Sequence, residues 1–574
     1  MSLSLNRPQF IDLSLKAVAT TSAARFFVLE SWTQTTRGQY ESIFGLLDAF
    51  VERYMQEMNS PGMTLVLADR SGIQRVAIYG FDDPESRLAI NPDQLFEIGS
   101  ISKSFVANCL LQLRQEGKVD FSKPIVEYLP WFQIDSAFQP ITVHHLLTHT
   151  SGLPADTPLF LSDSSGRHRP GYPPGQHFHY CNTGYVALGH LLSTLDGKPL
   201  PEAFLKRILE PLGMNRTEAI ITLDVRSSLA KNYVAFQNDR PYPRSGRLSE
   251  APAIIMTDGS GCIASTPHDM GLYIQMIANN GNCNNRELLS AESFSLFSNP
   301  HVKAEEFGPA ANYGYGMFVD ALDGHKILWH TGGMVSFASA MQVDIDEGVG
   351  AFASINAMQG YRPTPVAKYA IQLMRARRDN KPLPSAPPPS PPTAVKNGDA
   401  YVGLYTSVEG RRFEITSSEN RVFLEHGSDR IPLEHSQDEI FTVPHPSFDR
   451  FALVFGRADV KNPKSEVIEA GWGGEWFINA KYTGPKNFDY PREWNSLVGH
   501  YRNESPWVGS LRIVIRKGKL LVDGIVPLEP GEGDKFLLRD KEYSPEWIRF
   551  DQFVNSQAMH IKFSGEDLWR VVAS

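Results

Sequence analysis

Phe96-Glu97-Ile98-Gly99-Ser100-Ile101-Ser102-Lys103-Ser104-Phe105 places a serine and a lysine three residues apart where an apolar run opens a helix. On an α-helix such residues share a face, with Cβ atoms roughly 5–6 Å apart, so the Lys103 amine is within reach of the Ser100 hydroxyl. A serine hydroxyl is a weak nucleophile at neutral pH and must lose its proton to a base as it attacks. Lys103 is placed to be that base or to hold a second one. Serine and lysine are common surface residues, so the pair takes its meaning from two further segments. The first, His179-Tyr180-Cys181-Asn182-Thr183-Gly184-Tyr185, supplies a phenol and an amide. A tyrosine beside cationic groups can have a lowered pKa and shuttle a proton, and Asn182 can donate to a carbonyl while accepting from a lysine. The second, His330-Thr331-Gly332-Gly333, comes after the short apolar strand Lys326-Ile327-Leu328-Trp329. Its glycines allow another backbone to lie close along a strand edge and leave an unobstructed N–H.

In this order the three segments resemble those of the serine β-lactamase and penicillin-binding-protein superfamily, nearest its class C, esterase and D-aminopeptidase branch. The likeness spans residues 40–378 and includes Ile141–Leu153, Gly259–Pro267 and Tyr313–Gly316. The resemblance implies an acylated nucleophile at Ser100, a proton-transfer pair in Lys103 and Tyr180, and a substrate-orienting amide in Asn182. It also implies an oxyanion hole from the Ser100 and Gly333 N–H groups, beside His330, Thr331 and Gly332. β-Lactamases and transpeptidases of the superfamily usually carry lysine where this chain has His330. Histidine, with an ordinary pKa near ~6.5, offers no fixed cation there at neutral pH. The expected activity is therefore that of a serine hydrolase acting on an ester or amide, esterase-like or D-aminopeptidase-like, rather than a β-lactamase. The same acyl-enzyme serves an acyltransferase or a penicillin-binding-protein-type thioesterase or peptide cyclase, and a catalytically idle binding protein is a third reading. No cofactor is implied, and the partners implied are small-molecule or peptide esters and amides.

Composition narrows the class. A chain of 574 residues exceeds what one core supports, so two or three domains are expected. A formal charge of −9 gives no basic footprint for nucleic acid. Arg7, Pro8 and Asp12 interrupt the start before any apolar leader forms, and no run of about 18 apolar residues reads as a membrane span. Cys109, Cys181, Cys262 and Cys283 form no Cys-x-x-Cys pair and read as reduced thiols, so a cytoplasmic location without membrane contact is expected. His145 and His149 lie one helical turn apart without a third ligand at matching spacing, so no metal is expected. Cys181 reads as a packing residue, and His177 and His179 flank the Tyr180 segment.

Periodicity fills in the rest. Residues 40–58 read as an amphipathic helix, 63–68 and 73–79 as a strand pair turning at Asp69–Gly72, and Ser265–Asp269 as a helix cap. Val366, Tyr369, Ala370 and Leu373 mark a further helix closing on Arg375, Arg377 and Arg378. The reading is an α/β catalytic domain, an antiparallel sheet flanked by helices with a helical lobe, followed by all-β antiparallel barrels. Its expected limits are residues 1–380, with a proline-rich linker at 381–394 and barrels at 395–488 and 489–574. Tyr401-Val-Gly-Leu-Tyr405 is echoed by Leu497-Val-Gly-His-Tyr501, each followed by about eight short strand-like runs. Two barrels are favoured over one lipocalin-like barrel shared between the copies. The loop Gly471–Trp476 is the segment expected to lean over the catalytic pocket, with 160–174 and 237–250 shaping it.

Overall fold

The computed structural model describes residues 31–35, 38–161, 167–237, 239–244, 246–283, 286–358, 362–388, 391–539, 541 and 543–572. The N-terminal stretch with Arg7, Pro8 and Asp12 lies outside the described residues, as do 162–166, Asn238, Ser245, Pro389 and Ser390.

Nine strands form the main antiparallel sheet: β1 (Ser31–Thr35), β2 (Gly62–Asp69), β3 (Gly72–Asp83), β4 (Val302–Lys303), β5 (Asn312–Tyr313), β6 (Phe318–Leu322), β7 (His325–Gly333), β8 (Ala338–Asp344) and β9 (Val349–Ile355). Their order is β1-β3-β2-β9-β8-β7-β6-β5-β4, with the two-residue strand Leu88–Ala89 added to β3. Chain segments far apart in sequence thus meet at the β2–β9 pairing, in register from Gly350 opposite Ala68 to Ile355 opposite Met63. Successive side chains of a strand point to opposite faces. In β2, Met63, Leu65 and Leu67 enter one core while Val66 and Ala68 enter another. Both faces are covered, and β2 is accordingly buried along its whole length.

Helices α1 (Glu41–Met58) and α5 (Thr364–Arg378) cover the first face, where Phe50 meets Tyr369 edge to face. The second face carries α2 (Ser102–Gln115), α3 (Asn182–Asp196) and α4 (Pro267–Ala278). Helix α2 is enclosed on nearly every side, which suits a helix that must hold one face to the sheet and another to the lobe. Thr266 caps α4 by accepting the Asp269 N–H, with Pro267 in the first turn.

The expected sheet, flanking helices and barrels are present. The proline-rich segment is more than a spacer: Pro387 O accepts from Arg53 and Pro384 O from Tyr369, so it lies along α1 and α5. Beyond it, nine paired segments run from Gly403–Ser407 to Glu475–Ile478. Two of them, Asp429–Pro432 and Glu434–Gln437, are separated by Leu433 alone, so one kinked strand pairs on both sides and brings the ring around. A second, closed barrel of eight strands runs from Gly499–Arg502 to Glu566–Arg570. The sequence echo has a structural counterpart. Tyr405 donates to Tyr401 O and Tyr501 to Leu497 O, both at 2.8 Å, each tying an entering turn to its first strand.

At the end of α5, Arg375 is 8% exposed and reaches Asp344, which is 0% exposed, at 3.0 Å. Substituting Arg375→Ala strands a buried carboxylate and is expected to cost about 3–5 kcal/mol of stability. Arg377→Ala, which removes an exposed bond to Ser42, should stay within about 0.5 kcal/mol; denaturant unfolding of the two variants checks the contrast.

Candidate active site

Ser100 does not lie in α2 itself. It occupies a single 3₁₀ turn, Gly99–Ile101, that runs into α2 at Ser102, with Lys103 one residue inside the helix. The turn is squeezed against the end of β7. Gly99 has φ +53°, and a Cβ there would sit 2.9 Å from Gly333 N; a Cβ on Gly332 would collide with Ile98 O. These contacts explain why glycine stands at each of these positions.

Lys103 is 0% exposed. Its Nζ lies 3.0 Å from Ser100 Oγ, 2.7 Å from Asn182 Oδ1 and 2.6 Å from Ser260 O. Burial pulls its pKa down to about 7, against the opposing pull of Asp258 and Asp156. The Asn182 amide is oriented by its other end, since Nδ2 donates to Asp156 at 2.7 Å. Ser260 is held by Asp258, which accepts from both its N–H and its hydroxyl.

The Tyr180 ring lies 4.9 Å from Lys103 Nζ. Its hydroxyl is buried and forms no well-aligned hydrogen bond, although Ser100 lies within polar reach. The lowered pKa that its cationic neighbours would favour is not found: burial outweighs Ser100 and Arg362 and pushes the phenol well above the ordinary range. His149 stacks on this ring with centroids 4.2 Å apart, and its Nδ1 accepts the Cys181 N–H at 2.9 Å. Burial first, then Lys103, holds His149 well below the usual imidazole range and therefore neutral. The Cys181 thiol points away from Ser100, accepting from Gly184 and donating to Pro154 O at the start of α3, in keeping with a packing role.

His330 lies behind the site rather than in it. It is 2% exposed, with Nδ1 bonded to Thr331 O at 2.7 Å and Nε2 to Tyr313 Oη at 3.2 Å. Burial pushes it down to about 3, so it carries no charge at neutral pH. The nearby cation is Arg362, whose guanidinium lies against Gly333. Gly333 faces Ala338 in the β7–β8 register, and Met334 N donates to Phe337 O. Hydrogen-bonded and non-bonded pairs alternate in an antiparallel ladder, so the Gly333 N–H turns away from β8 toward the Ser100 turn. The Ser100 N–H sits in the first turn of its 3₁₀ helix, where donors have no internal partner.

A cleft of about 260 Å³ opens over Ser100, bordered by Asp156, Asn182, Met334, Trp507 and Glu566. Trp507 and Glu566 belong to the second barrel. The Gly471–Trp476 loop instead meets that barrel, where Gly473 O accepts from Arg516. Residues 239–244 likewise serve docking, through Asp239 to Arg512, Arg240 to Asp449 and the Arg244 N–H to Glu434. Thr157 and Leu159 border the cleft, while Phe160 is 73% exposed.

Glu546 of the second barrel reaches into the N-terminal part of the chain. One oxygen accepts from the Ala155 N–H at 2.7 Å and lies 2.9 Å from His179 Nε2; the other accepts from Ser564. Burial alone would raise its pKa, but His179, Ser564 and the Ala155 N–H outweigh it and hold Glu546 below the usual range. Ala155 O in turn accepts the N–H groups of Asn182 and Thr183. The loop carrying Asp156 is therefore pinned between the barrel and the start of α3.

His145 makes a capping box with Thr142 and does not join His149 in a ligand set. Among the described residues the grouped metal-ligating side chains are His325, Asp344 and Asp346, at the end of β7 remote from Gly333, with Asp344 already paired to Arg375. All four cysteines are buried and free. Among the described residues no helix is long and apolar enough to cross a membrane.

A family model described as Beta-lactamase matches residues 47–375, more than half of the chain. A protein named Beta-lactamase from Providencia stuartii is 28% identical over 225 residues, 38% of this chain and 57% of that relative. Penicillin-binding protein 4* from Bacillus subtilis (strain 168) is 23% identical over 406 residues, 66% of this chain and 87% of the relative. Among solved structures, the octameric penicillin-binding protein homologue from Pyrococcus abyssi aligns with a TM-score of 0.55 at 24% identity, covering 76% of this chain and 99% of that one, a likeness of fold.

Replacing Glu546 with Ala should free the Ala155–Asp156 loop and lower kcat/KM about 10- to 100-fold, the size expected when a positioning contact is lost. Glu546→Gln, which can still accept from Ala155 and His179, should recover part of it; steady-state kinetics on both variants decide.

Proposed function

The chain belongs to the beta-lactamase family, and we propose that it is a serine hydrolase that forms an acyl-enzyme on Ser100 and cleaves an ester or amide. The observation that carries the proposal is the bonding of Lys103. Asn182 Oδ1 and Ser260 O are acceptors only, so Lys103 must give an N–H to each. A neutral amine has two N–H groups and one lone pair, and the lone pair is then left facing the Ser100 hydroxyl at 3.0 Å. With a pKa near 7, a large fraction of Lys103 is in that form at neutral pH.

The reaction runs in two steps. Ser100 Oγ attacks the carbonyl carbon as its proton passes to Lys103, and the carbonyl oxygen gathers charge opposite the Ser100 and Gly333 N–H groups. Burial keeps the Tyr180 phenol protonated, which suits it to donate to the departing alcohol or amine rather than to act as base. Lys103 then passes the proton it took to the Tyr180 phenolate, which restores both groups; water next attacks the acyl carbon as its proton passes to Lys103, and that proton goes to Ser100 Oγ as the acid leaves. Neutral His330 supplies no charge to anchor a substrate carboxylate; the cation beside Gly333 is Arg362.

Incubation with activated esters and aminoacyl amides should add one acyl group to the wild-type protein, read by intact mass, and none to Ser100→Ala. Turnover should fall at least about 10³-fold in that variant; equal turnover in the two would overturn the assignment. Because only unprotonated Lys103 can accept the serine proton, kcat/KM should climb about tenfold per pH unit below about 7 and level off above it.

A further inference from the structure

Three residues before Ser100, Glu97 is 3% exposed and its Oε2 is buried with no hydrogen-bond partner. Buried polar groups are nearly always paired, and an unpaired carboxyl away from water is costly. Burial is the sole influence on it and pushes it up to about 8. The side chain borders a cavity of about 230 Å³, formed also by Asp82, Thr222, Lys231, Asn232 and Ile254. At roughly 30 Å³ per water this is space for several waters or one small organic group.

The charges around the cavity favour a cation. Lys231 Nζ is engaged by Asp83 at 3.1 Å and Glu250 at 3.4 Å, and Arg226 lies 3.9 Å from Glu250. Asp82 accepts the Lys231 N–H. Counting Glu97, carboxyl groups outnumber cationic groups here, and Glu97 has no charged partner. The cavity is separate from the Ser100 cleft: Ile254 borders the one and Met256, two residues on, borders the other. Met256 is fixed in between by its bridge to Ile221.

We propose that this cavity is a second binding site, which takes a small cation bearing N–H donors, a guanidinium or a primary ammonium group, with the Glu97 carboxylate as its counter-ion. Such a ligand satisfies a buried carboxyl that the fold leaves without a partner. An adjacent positive charge favours the ionised carboxylate, so binding at pH 7 expels the Glu97 proton to solvent, and affinity strengthens as pH rises toward 8. Asp82, Arg226, Lys231 and Glu250 are the other charged groups lining this site, and Asp83 bears on it through Lys231.

The test is calorimetric titration of the full chain with methylguanidinium chloride and with methylammonium chloride, N-methylurea serving as neutral control, in two buffers of different ionisation heat. The site predicts saturable binding of one or both cations, release of about one proton per ligand at pH 7, and affinity at least about tenfold weaker in Glu97→Gln. Ser100→Ala should bind as the wild type does. Equal binding of N-methylurea, unchanged affinity in Glu97→Gln, loss of binding in Ser100→Ala, or no saturable heat with either cation would overturn it. Proton release is read on the wild type alone, so the outcome does not depend on the variant folding.

Discussion

Burial of the Lys103 amine is the constraint around which the catalytic part is arranged. An ammonium group removed from water is tolerated only when its hydrogens are matched and its charge is offset or surrendered. Here the matching groups come from three places: the turn before α2, the start of α3, and the Asp258–Ser260 loop. None of these can shift without breaking one of the polar contacts that the buried amine makes. The burial that depresses the lysine pKa therefore goes together with the contacts that fix Ser100 and Asn182 relative to each other.

The surroundings of that amine are kept free of competing charge. His149 and His330 both lie close and both are held neutral by burial. Had either been protonated, it would have repelled the lysine and occupied an acceptor. Tyr180, stacked on His149, stays a phenol for the same reason. Low polarity around one titrating amine lets a group with an ordinary pKa above 10 work near neutrality.

Much of this is legible in the sequence because it is local. The serine–lysine spacing, the capped helix at Thr266, the β2–β3 pair and the repeated Tyr-x-Gly-x-Tyr and Val-Gly-x-Tyr openings of the barrels each depend on residues within a few positions of one another. His330 is visible as a departure from lysine, though not its turn away from the cleft, which is set by the Tyr313 hydroxyl. Asp156, Glu546 and Arg362 carry no local signature; their meaning comes from contacts as distant as Glu546 to Ala155. The aromatic loop Gly471–Trp476 reads as a lid because its tryptophans look available, yet its partner is the Arg516 side chain of the neighbouring barrel. Aromatic content marks a segment as needing a surface to pack on and does not say which surface.

The second barrel differs from the first in what it offers the site. Its closure leaves few edges, so the side chains that leave its surface are held in place by the strands beneath. Glu546 sits just before the strand Trp547–Val554, and its second oxygen is fixed by Ser564 across the sheet. A carboxylate so restrained can hold the Ala155–Asp156 loop at little entropic cost. Trp507 and Glu566 rise from the same barrel to border the cleft. Variation at Trp507 and Glu566 can therefore change what the cleft admits without disturbing Lys103, since the barrel's hold on the lysine runs instead through Glu546, the Ala155–Asp156 loop and the start of α3.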